Sequence, residues 1–544
     1  MTSRNLKRAL LPLTLIAVVA ASATSASAAD ICVGASPLCT PQTVAGTTAG
    51  LASALVLAQD GSHPGFDRII IKSGTYLTSS SLNYTAATNQ GVAIIGQGDS
   101  TILQPSAPGI VVLNLNAQSA PGSSITGVRF AHYTGAESGI PYGLTIRDGD
   151  ASNLSFDVAA SSGGAYGVSI TGGSLTDSSF TVGNLGYGAL LASNTSVSRL
   201  NFVGDPTSYA TAIKAQGGTD YSISRVVSKD FAIGISTDQG KVTVSDSLID
   251  LGSIDDAYGI WPHNNNNGTY STGVDASNVT IAGTGNQQYG VRTDINGSGS
   301  SSIALRNSIL SLSGTDSVEL FCANGGPTST ATVNVTYSLF DFGRVALDPE
   351  CTTSIAPTAI NRATVAAPFA DAGARNFQLT PTSPAVDAGD PAVAQTGATD
   401  LLGNPRVIAI KNGCAPRLDL GAYELQPASA CTPPPPPPKP TAKFGKVVGK
   451  FKIKKPAKSF TVSTKKPKSR VPIAISSKLK VKLTMKLGKK MLKGSQSLTI
   501  PAGTSYLTFS GKFAGKTIKP GKYSLYMAVP GLKDKLKSTL SVIR

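Results

Sequence analysis

YGLTI (142–146), YGVSI (166–170), YGALL (187–191), AIGIS (232–236), YGIWP (258–262) and YGVRT (289–293) repeat one pattern. Each gives an aromatic or small residue, a glycine and then an apolar alternation. ATAIKA (210–215) fills the gap between the third and fourth without a glycine. A second series interleaves with the first: NLSF, DSSF, RLNF, SRVV, DSLI, NVTI, NSIL and YSLF. These end at Phe156, Phe180, Phe202, Val227, Ile249, Ile281, Leu310 and Phe340, in steps of 24, 22, 25, 22, 32, 29 and 30.

A period of about 21–25 residues, built only of short alternating segments, leaves room for two or three strands and no helix. One such repeat cannot bury its own apolar side chains. Stacked about 4.8 Å apart, successive repeats bring like residues together in interior columns. Asn153, Asp177, Ser224, Asp246, Asn278 and Asn307 each lie three before the apolar marker, where a tight turn suits them. The pattern predicts an all-β chain whose main body is a parallel β-helix. A propeller would need a longer repeat, and independent β-sandwiches give no reason for this register. Leucine-rich spacing is absent.

The flanks agree with a solenoid that must be capped. TTAGLASALVLAQ (47–59) carries apolar residues at helical spacing and predicts a capping helix. FDRIIIKSGTYL (66–77) starts the strands, followed by GVAIIGQGDSTIL (91–103). This opening and the repeats after it, over about 66–345, resemble secreted right-handed β-helix proteins.

After the last repeat comes SPAVDAGDPA (383–392), then TDLLGNPR and LDLGAYE. In that order, over roughly 376–425, they resemble the choice-of-anchor Q domain at the C-terminal end of secreted bacterial β-helix proteins. The resemblance implies extracellular display and no particular activity. Read residue by residue, the segment is turn chemistry that closes the solenoid. Gly389 and Gly403 suit reversals, Asp387 and Asp419 suit backbone caps, and Arg406 suits a carboxylate partner such as Glu424. Clustered oxygens also suit calcium, which makes Asp387, Asp390 and Asp400 the metal candidates, although no compact calcium loop occurs. No other cofactor is expected.

The best candidate site is the enlarged coil SIDDAYGIWPHNNNNGTYSTG (253–273). Asp255, Asp256, His263 and, one coil on, Asp294 are the candidate catalytic groups. Trp261, Asn264, Asn265 and Arg292 are the candidate ligand contacts, the indole for a sugar face and the amides for hydroxyls. The competing reading is a polar loop beside a structural pair of acids. The polygalacturonase signature is missing, since no Gly-His-Gly follows the Asp pair and no Arg-Ile-Lys lies downstream.

Residues 1–28 read as an export signal: Arg4, Lys7 and Arg8, an apolar run, then ASA at 26–28. Six cysteines fit that compartment, and pairing neighbours predicts Cys32–Cys39, Cys322–Cys351 and Cys414–Cys431. Spacing alone does not prove this connectivity. The mature chain is expected to lack a transmembrane segment.

The charge is divided. From residue 441 onward there are 26 Lys plus Arg against one acid, Asp534, a net of +25; a total of +16 leaves −9 for the rest. CTPPPPPPKPT marks the junction, and a proline run makes a stiff spacer. The tail alternates Lys with apolar residues, as in KLKVKLTMKL, which predicts a small antiparallel β-sandwich with one wet face.

The expected organisation is a signal peptide (1–28), a capping segment (29–65), a right-handed parallel β-helix (66–372), a choice-of-anchor Q-like closing segment (373–426), a Pro-rich linker (427–442) and a Lys-rich β-sandwich (443–544). The expected function is glycan or surface binding by a secreted or cell-surface monomer. Its basic tail would meet envelope polyanions or polysaccharides rather than a specific nucleic acid. A polysaccharide lyase or glycoside hydrolase is the alternative, and a structural spacer the third reading.

Overall fold

A Cβ at Gly259 would sit 2.5 Å from the carbonyl oxygen of Gly290 in the next coil, and one at Gly143 would sit 2.7 Å from that of Gly167. The recurring glycine is therefore a close-approach residue: it lets one coil lie on the next at β-sheet spacing. The computed structural model describes residues 30–34, 42–59, 66–86, 90–118, 122–134, 141–159, 164–264, 270–295, 298–325, 328–393, 398–408, 417–426, 441–452, 460–530 and 532–544. The chain divides into two compact units, Met1–Pro433 and Pro434–Arg544.

The first unit is a parallel β-helix with three walls. The first wall stacks Thr211–Ala215, Ile233–Thr237, Tyr258–Asn264, Tyr289–Ile295 and Val318–Asn324. The second stacks Asp220–Ser224, Gly240–Ser245, Ser271–Ser277, Gly299–Arg306 and Ser329–Thr336. The third runs from Ser155–Val158 through Ser179–Val182, Asn201–Gly204, Val227–Lys229, Leu248–Asp250, Thr280–Gly283 and Ile309–Leu312 to Leu339–Phe340. Strand alternation sends every second residue inward. Phe130, Phe156, Phe180 and Phe202 form an interior stack with ring centroids 5.1, 4.6 and 4.3 Å apart.

The turns between the second and third walls form a column of left-handed residues. Asn153, Asp177, Arg199, Arg225, Asp246, Asn278 and Asn307 all have φ between 51° and 56°. Asn and Asp tolerate this conformation, which explains their recurrence. The N–H of each donates to a carbonyl of the next coil: Asn153 to Thr176, Asp246 to Ser277 and Asn307 to Thr336.

Two sequence expectations shift by one residue here. The column position is Arg225 rather than Ser224, and the residue aligned with Phe202 is Ser228 rather than Val227. The interior space beside Ser228 is filled by Phe231, whose ring meets Phe202 edge-on at 6.3 Å. A small inward residue, compensated three positions later, hides the register from an apolar count.

The ends also differ from expectation. The first coil begins at Asp30–Val33, which pairs with Phe66–Ile71 inside the stretch expected as a cap. The helix Thr48–Gln59 forms and buries Leu51, Ala54, Leu55 and Ala58. The last parallel pairing is Leu339–Phe340 with Ile360–Asn361. Cys322 and Cys351 are bridged near this end. Cys32 is disulfide-bonded. Cys39, Cys414 and Cys431 lie outside the described residues, as do the export signal and most of the Pro-rich linker.

The acidic segment does not close the solenoid end. It turns back and lies along the outside of the third wall. Phe369, Phe377, Leu379, Ala385, Val386, Leu420 and Ala422 pack on the outward side chains Leu248, Ala282, Ile309 and Leu339. The N–H of Gly421 donates to Asn307 O at 2.7 Å, and that of Ala422 to Thr280 Oγ1 at 2.9 Å. Arg375 reaches Asp230 and Asp250, and the fully buried Arg406 reaches Asp246 at 2.6 Å. The physical reason is written on the wall. Its outward positions are polar in early coils (Ser155, Ser179, Asn201) and mostly apolar later (Val227, Leu248, Ile309, Leu339), with Thr280 the exception that bonds the cover. Apolar area of that kind is stabilised by a cover.

The second unit is the expected small β-sandwich. One sheet orders Ala442–Phe444, Val471–Ile475, Gly503–Phe509 and Phe460–Ser463. The other holds Phe451–Lys452, Leu536–Ile543, Gly521–Ala528, Leu479–Leu487, Lys490–Met491 and Gln496–Ile500. Their inner faces share a core that includes Ile473, Leu483, Met485, Leu507, Leu525 and Leu540.

Candidate functional site on the first wall

The outward residues of the first wall form rows that cross the coils. One row starts with Tyr142, Tyr166 and Tyr187, stacked at 4.9 and 4.5 Å, and resumes with Tyr258 and Tyr289 at 5.2 Å. Burial pushes the Tyr166 phenol up to about 12, helped by Tyr187, Tyr142 and Asp238. The neighbouring row holds Lys214, Ser236 and Trp261, then Arg292 and Phe321. A third holds His263 opposite Asp294.

These rows bring four of the sequence candidates together: Trp261, His263, Arg292 and Asp294. Trp261 stacks on Tyr258 at 4.7 Å, and the His263 ring, tilted by 33°, lies 4.3 Å away. Its indole N–H donates to Asp294 Oδ1 at 3.0 Å. Arg292 donates to the other oxygen, Oδ2, through Nε at 2.8 Å. The Arg292 guanidinium lies 4.8 Å from the ring centres of Tyr289 and Phe321, and 5.3 Å from that of Tyr258. Cation–π attraction and the carboxylate thus hold one planar cation among four aromatic rings, Trp261 being the fourth at 5.7 Å. Asp294 is a positioning group here, since both its oxygens are engaged.

The sequence reading missed Asp238 and Lys214. Asp238 Oδ1 lies 2.8 Å from His263 Nε2, and its Oδ2 lies 3.2 Å from Lys214 Nζ. Burial alone would raise the Asp238 carboxyl, but the His263 and Lys214 contacts outweigh it and hold it below the usual carboxylate range. His263 Nδ1 is buried without a hydrogen-bond partner among the described residues. Asp238 sits in STDQG, which reads as a turn; only the coil register shows that it faces the next coil's histidine.

Asp255 and Asp256 lie in the turn before Tyr258 and not in the rows; burial raises the Tyr258 phenol, and Asp256 is near enough to add to that rise. Asp255 Oδ1 accepts the backbone N–H of Asn286 at 2.7 Å, and Asp256 takes a left-handed turn position with φ 54°. Asn264 pairs its backbone with Ile295. The side chain of Asn264, and all of Asn265, lie outside the described residues.

The calcium candidates do not converge. Among the described residues no group of three or more His, Cys, Asp or Glu could hold a metal ion. Asp390 Oδ1 accepts the N–H of Ala392, and Asp400 accepts those of Leu402, Asn404 and Glu424. Asp387 takes a left-handed turn, and its N–H is capped by Asp419 at 2.7 Å. Burial, then repulsion from Asp419, pushes the Glu424 carboxyl up to about 10; burial takes Asp419 to about 6. Arg406 Nη1 lies 3.7 Å from Glu424. These acids cap and pair inside the cover.

No family model matches the chain, and no curated protein matches it. Solved structures give low-level likenesses. An alpha-1,3-glucanase catalytic domain in complex with tetrasaccharides is 13% identical, with 57% of this chain and 67% of that chain covered and a TM-score of 0.31. The mannuronan C-5 epimerase A-module of Azotobacter vinelandii is 11% identical, with 58% and 95% covered and a TM-score of 0.30. An exopolygalacturonase from Thermotoga maritima is 8% identical, with 58% and 88% covered and a TM-score of 0.31. Likeness at this level leaves activity to the geometry of this chain, which is a parallel β-helix protein with a second, Lys-rich β-sandwich unit. Among the described residues no helix is long and apolar enough to cross a membrane.

Proposed function

We propose that the protein is a secreted or cell-surface polysaccharide binder, with the first wall as its binding face and the Lys-rich unit as its attachment to envelope polyanions. The observation that carries the reading is the half-buried row of Tyr258, Trp261, Arg292 and Phe321 beside Lys214, Asp238 and His263. The ring edges of this stack give an apolar strip for a sugar ring to lie on, and fixed charges beside it suit hydroxyls and uronate carboxylates. Extracellular display rests on the export signal read in residues 1–28 and on the likeness of residues 376–425 to the choice-of-anchor Q domain, which no family-model match accompanies.

Trp261 is the chain's one tryptophan, so its fluorescence reports this face alone. Titration with a panel of neutral and acidic polysaccharides should shift the emission saturably for at least one of them. Trp261→Phe and Arg292→Ala should each weaken that ligand's binding, read by calorimetry, by about tenfold. A folded protein whose emission no glycan shifts, and which calorimetry finds inert, sinks the reading.

One arrangement favours a second reading, a hydrolase or lyase. Asp238 Oδ1 lies 2.8 Å from His263 Nε2, a carboxylate beside an imidazole as an acid–base pair requires. Reducing-sugar release that disappears in His263→Ala would establish it. Binding without release, in wild type and variant alike, leaves the binder.

A further inference from the structure

The lysines of the second unit are sorted between its two sheets. On Leu479–Leu487 the outward residues are Lys480, Lys482, Thr484 and Lys486, alternating with the buried Val481, Leu483 and Met485. The adjacent Gly521–Ala528 strand turns out Lys522, Ser524, Tyr526 and Ala528, and Leu536–Ile543 turns out Lys537, Thr539 and Ser541. Register makes these one surface: Lys482 opposes Ala528, Thr484 opposes Tyr526, and Tyr526 opposes Lys537. On the far side Ser497 and Thr499 flank Lys482 and Lys480. The other sheet is different. Its outward row is Lys443, Pro472, Ala474, Thr504, Tyr506, Thr508, Thr461 and Ser463, neutral apart from Lys443 and from Arg470, whose guanidinium lies 5.9 Å from the Tyr506 ring centre.

Solubility alone gives no reason to gather lysines on one sheet. One acid, Asp534, follows residue 441, so carboxylates in this unit can neutralise at most one of these lysines. Successive outward positions on a strand lie about 7 Å apart, so the lysines stand at one or two such steps from each other among neutral Thr, Ser and Ala. Tyr526 stands among them, with Lys486 Nζ 5.4 Å and Lys537 Nζ 5.9 Å from its ring centre. A flat face of spaced lysines with one aromatic platform suits a linear polymer that carries charge along its length and presents a ring to stack. A base-stacking nucleic-acid surface would need a series of aromatic residues.

We propose that this outer face is the docking surface for a linear acidic polysaccharide, with Lys480, Lys482, Lys486, Lys522 and Lys537 meeting carboxylates and Tyr526 stacking on a sugar ring. It rests on the attachment reading above and adds which face does the attaching. The test uses the full chain carrying Trp261→Ala, so that the first wall does not contribute, with polygalacturonate as probe. Lys482→Ser, Lys486→Ser and Lys537→Ser together should weaken binding more than about tenfold at low salt. An equal charge loss at Lys465, Lys466 and Lys468, exposed in a loop outside this face, should cost less than about threefold. Tyr526→Ser should weaken binding while leaving its salt dependence unchanged. Circular dichroism and melting confirm that each variant folds. Equal losses from the two lysine triples would overturn the face assignment. Absence of polygalacturonate binding in the parent would remove the attachment reading itself. Binding to phosphatidylglycerol vesicles in place of polygalacturonate would overturn the choice of polymer.

Discussion

Two flanks of the same β-helix use their charges in opposite ways. Along the third wall, Asp230, Asp246 and Asp250 meet Arg375 and Arg406 beneath or at the edge of a packed cover. On the first wall, Lys214, Asp238, His263, Arg292 and Asp294 lie on an outward face among aromatic rings. Both flanks come from one repeat and share one register. What separates them is the residue at the outward positions. Where it turns aliphatic, the chain folds back over it; where it turns aromatic and charged, the side chains stack and pair with one another and stay half-buried. A charged cluster on a solenoid thus reads as structural or functional only with its aliphatic neighbours in view.

The sharpest way to break this contrast is Arg406→Ala. The side chain is buried, pairs with Asp246 and donates to the carbonyls of Gly421 and Ala422. Removing it leaves Asp246 without its cation and the two carbonyls without their donor, at a cost of about 3–5 kcal/mol. The expected outcome is early proteolysis within 369–425 and a separate low-temperature transition, while Trp261 fluorescence keeps its native emission. A single cooperative loss of both would show that the two flanks are not independent. Ile309→Ala is the apolar counterpart. It trims a fully buried side chain between wall and cover, for about 2–5 kcal/mol, with the same selective loosening expected by hydrogen exchange.

Protons distinguish the flanks next. Glu424 has its carboxyl raised to about 10 in the folded state, from 4.5, so folding favours its protonated form. Its contribution is complete below about pH 4.5 and is lost as pH rises through about 10. Asp419, raised to about 6, has the same sign over a lower window. Asp238 has the opposite sign: its depressed carboxyl contributes above the unfolded value of 3.8 and is lost as pH falls below it. The cover should therefore loosen toward alkaline pH and the Asp238–His263 contact toward acid. Glu424→Gln should flatten the alkaline arm of a melting-temperature profile. An unchanged alkaline arm would mean that Glu424 does not control it.

The column structure of the β-helix was legible because each column is one residue type seen through one period. Phe156, Phe180 and Phe202 recur as letters and stack as rings. The slip at Val227 was not legible, because Phe231 supplies from a turn the volume that Ser228 lacks. The cover's lateral position was available in principle. Leu248, Ile309 and Leu339 each precede an inward marker and break the polar pattern of Ser155, Ser179 and Asn201. An apolar pair such as SLI or SIL reads as one buried patch until the alternation is applied to it. On the first wall, Trp261, His263, Arg292 and Asp294 stood out by type. Asp238 did not, since its turn-like context conceals a partner 25 residues away.

The smallest expected effect carries the most information about the enlarged coil. Asp255 and Asp256 form the adjacent acid pair that a glycosidase search would select, yet Asp255 caps a backbone N–H and Asp256 forms a turn. Losing one exposed cap costs about 1 kcal/mol. Asp255→Ala should accordingly lower the melting temperature slightly and leave glycan binding to the first wall unchanged, whereas Trp261→Phe does the reverse. If Asp255→Ala instead abolished binding or release while stability held, the working face would have to include the turn before Tyr258. The aromatic row would then be a support for that turn, and the contrast between the aromatic wall and the covered one would no longer mark where function lies.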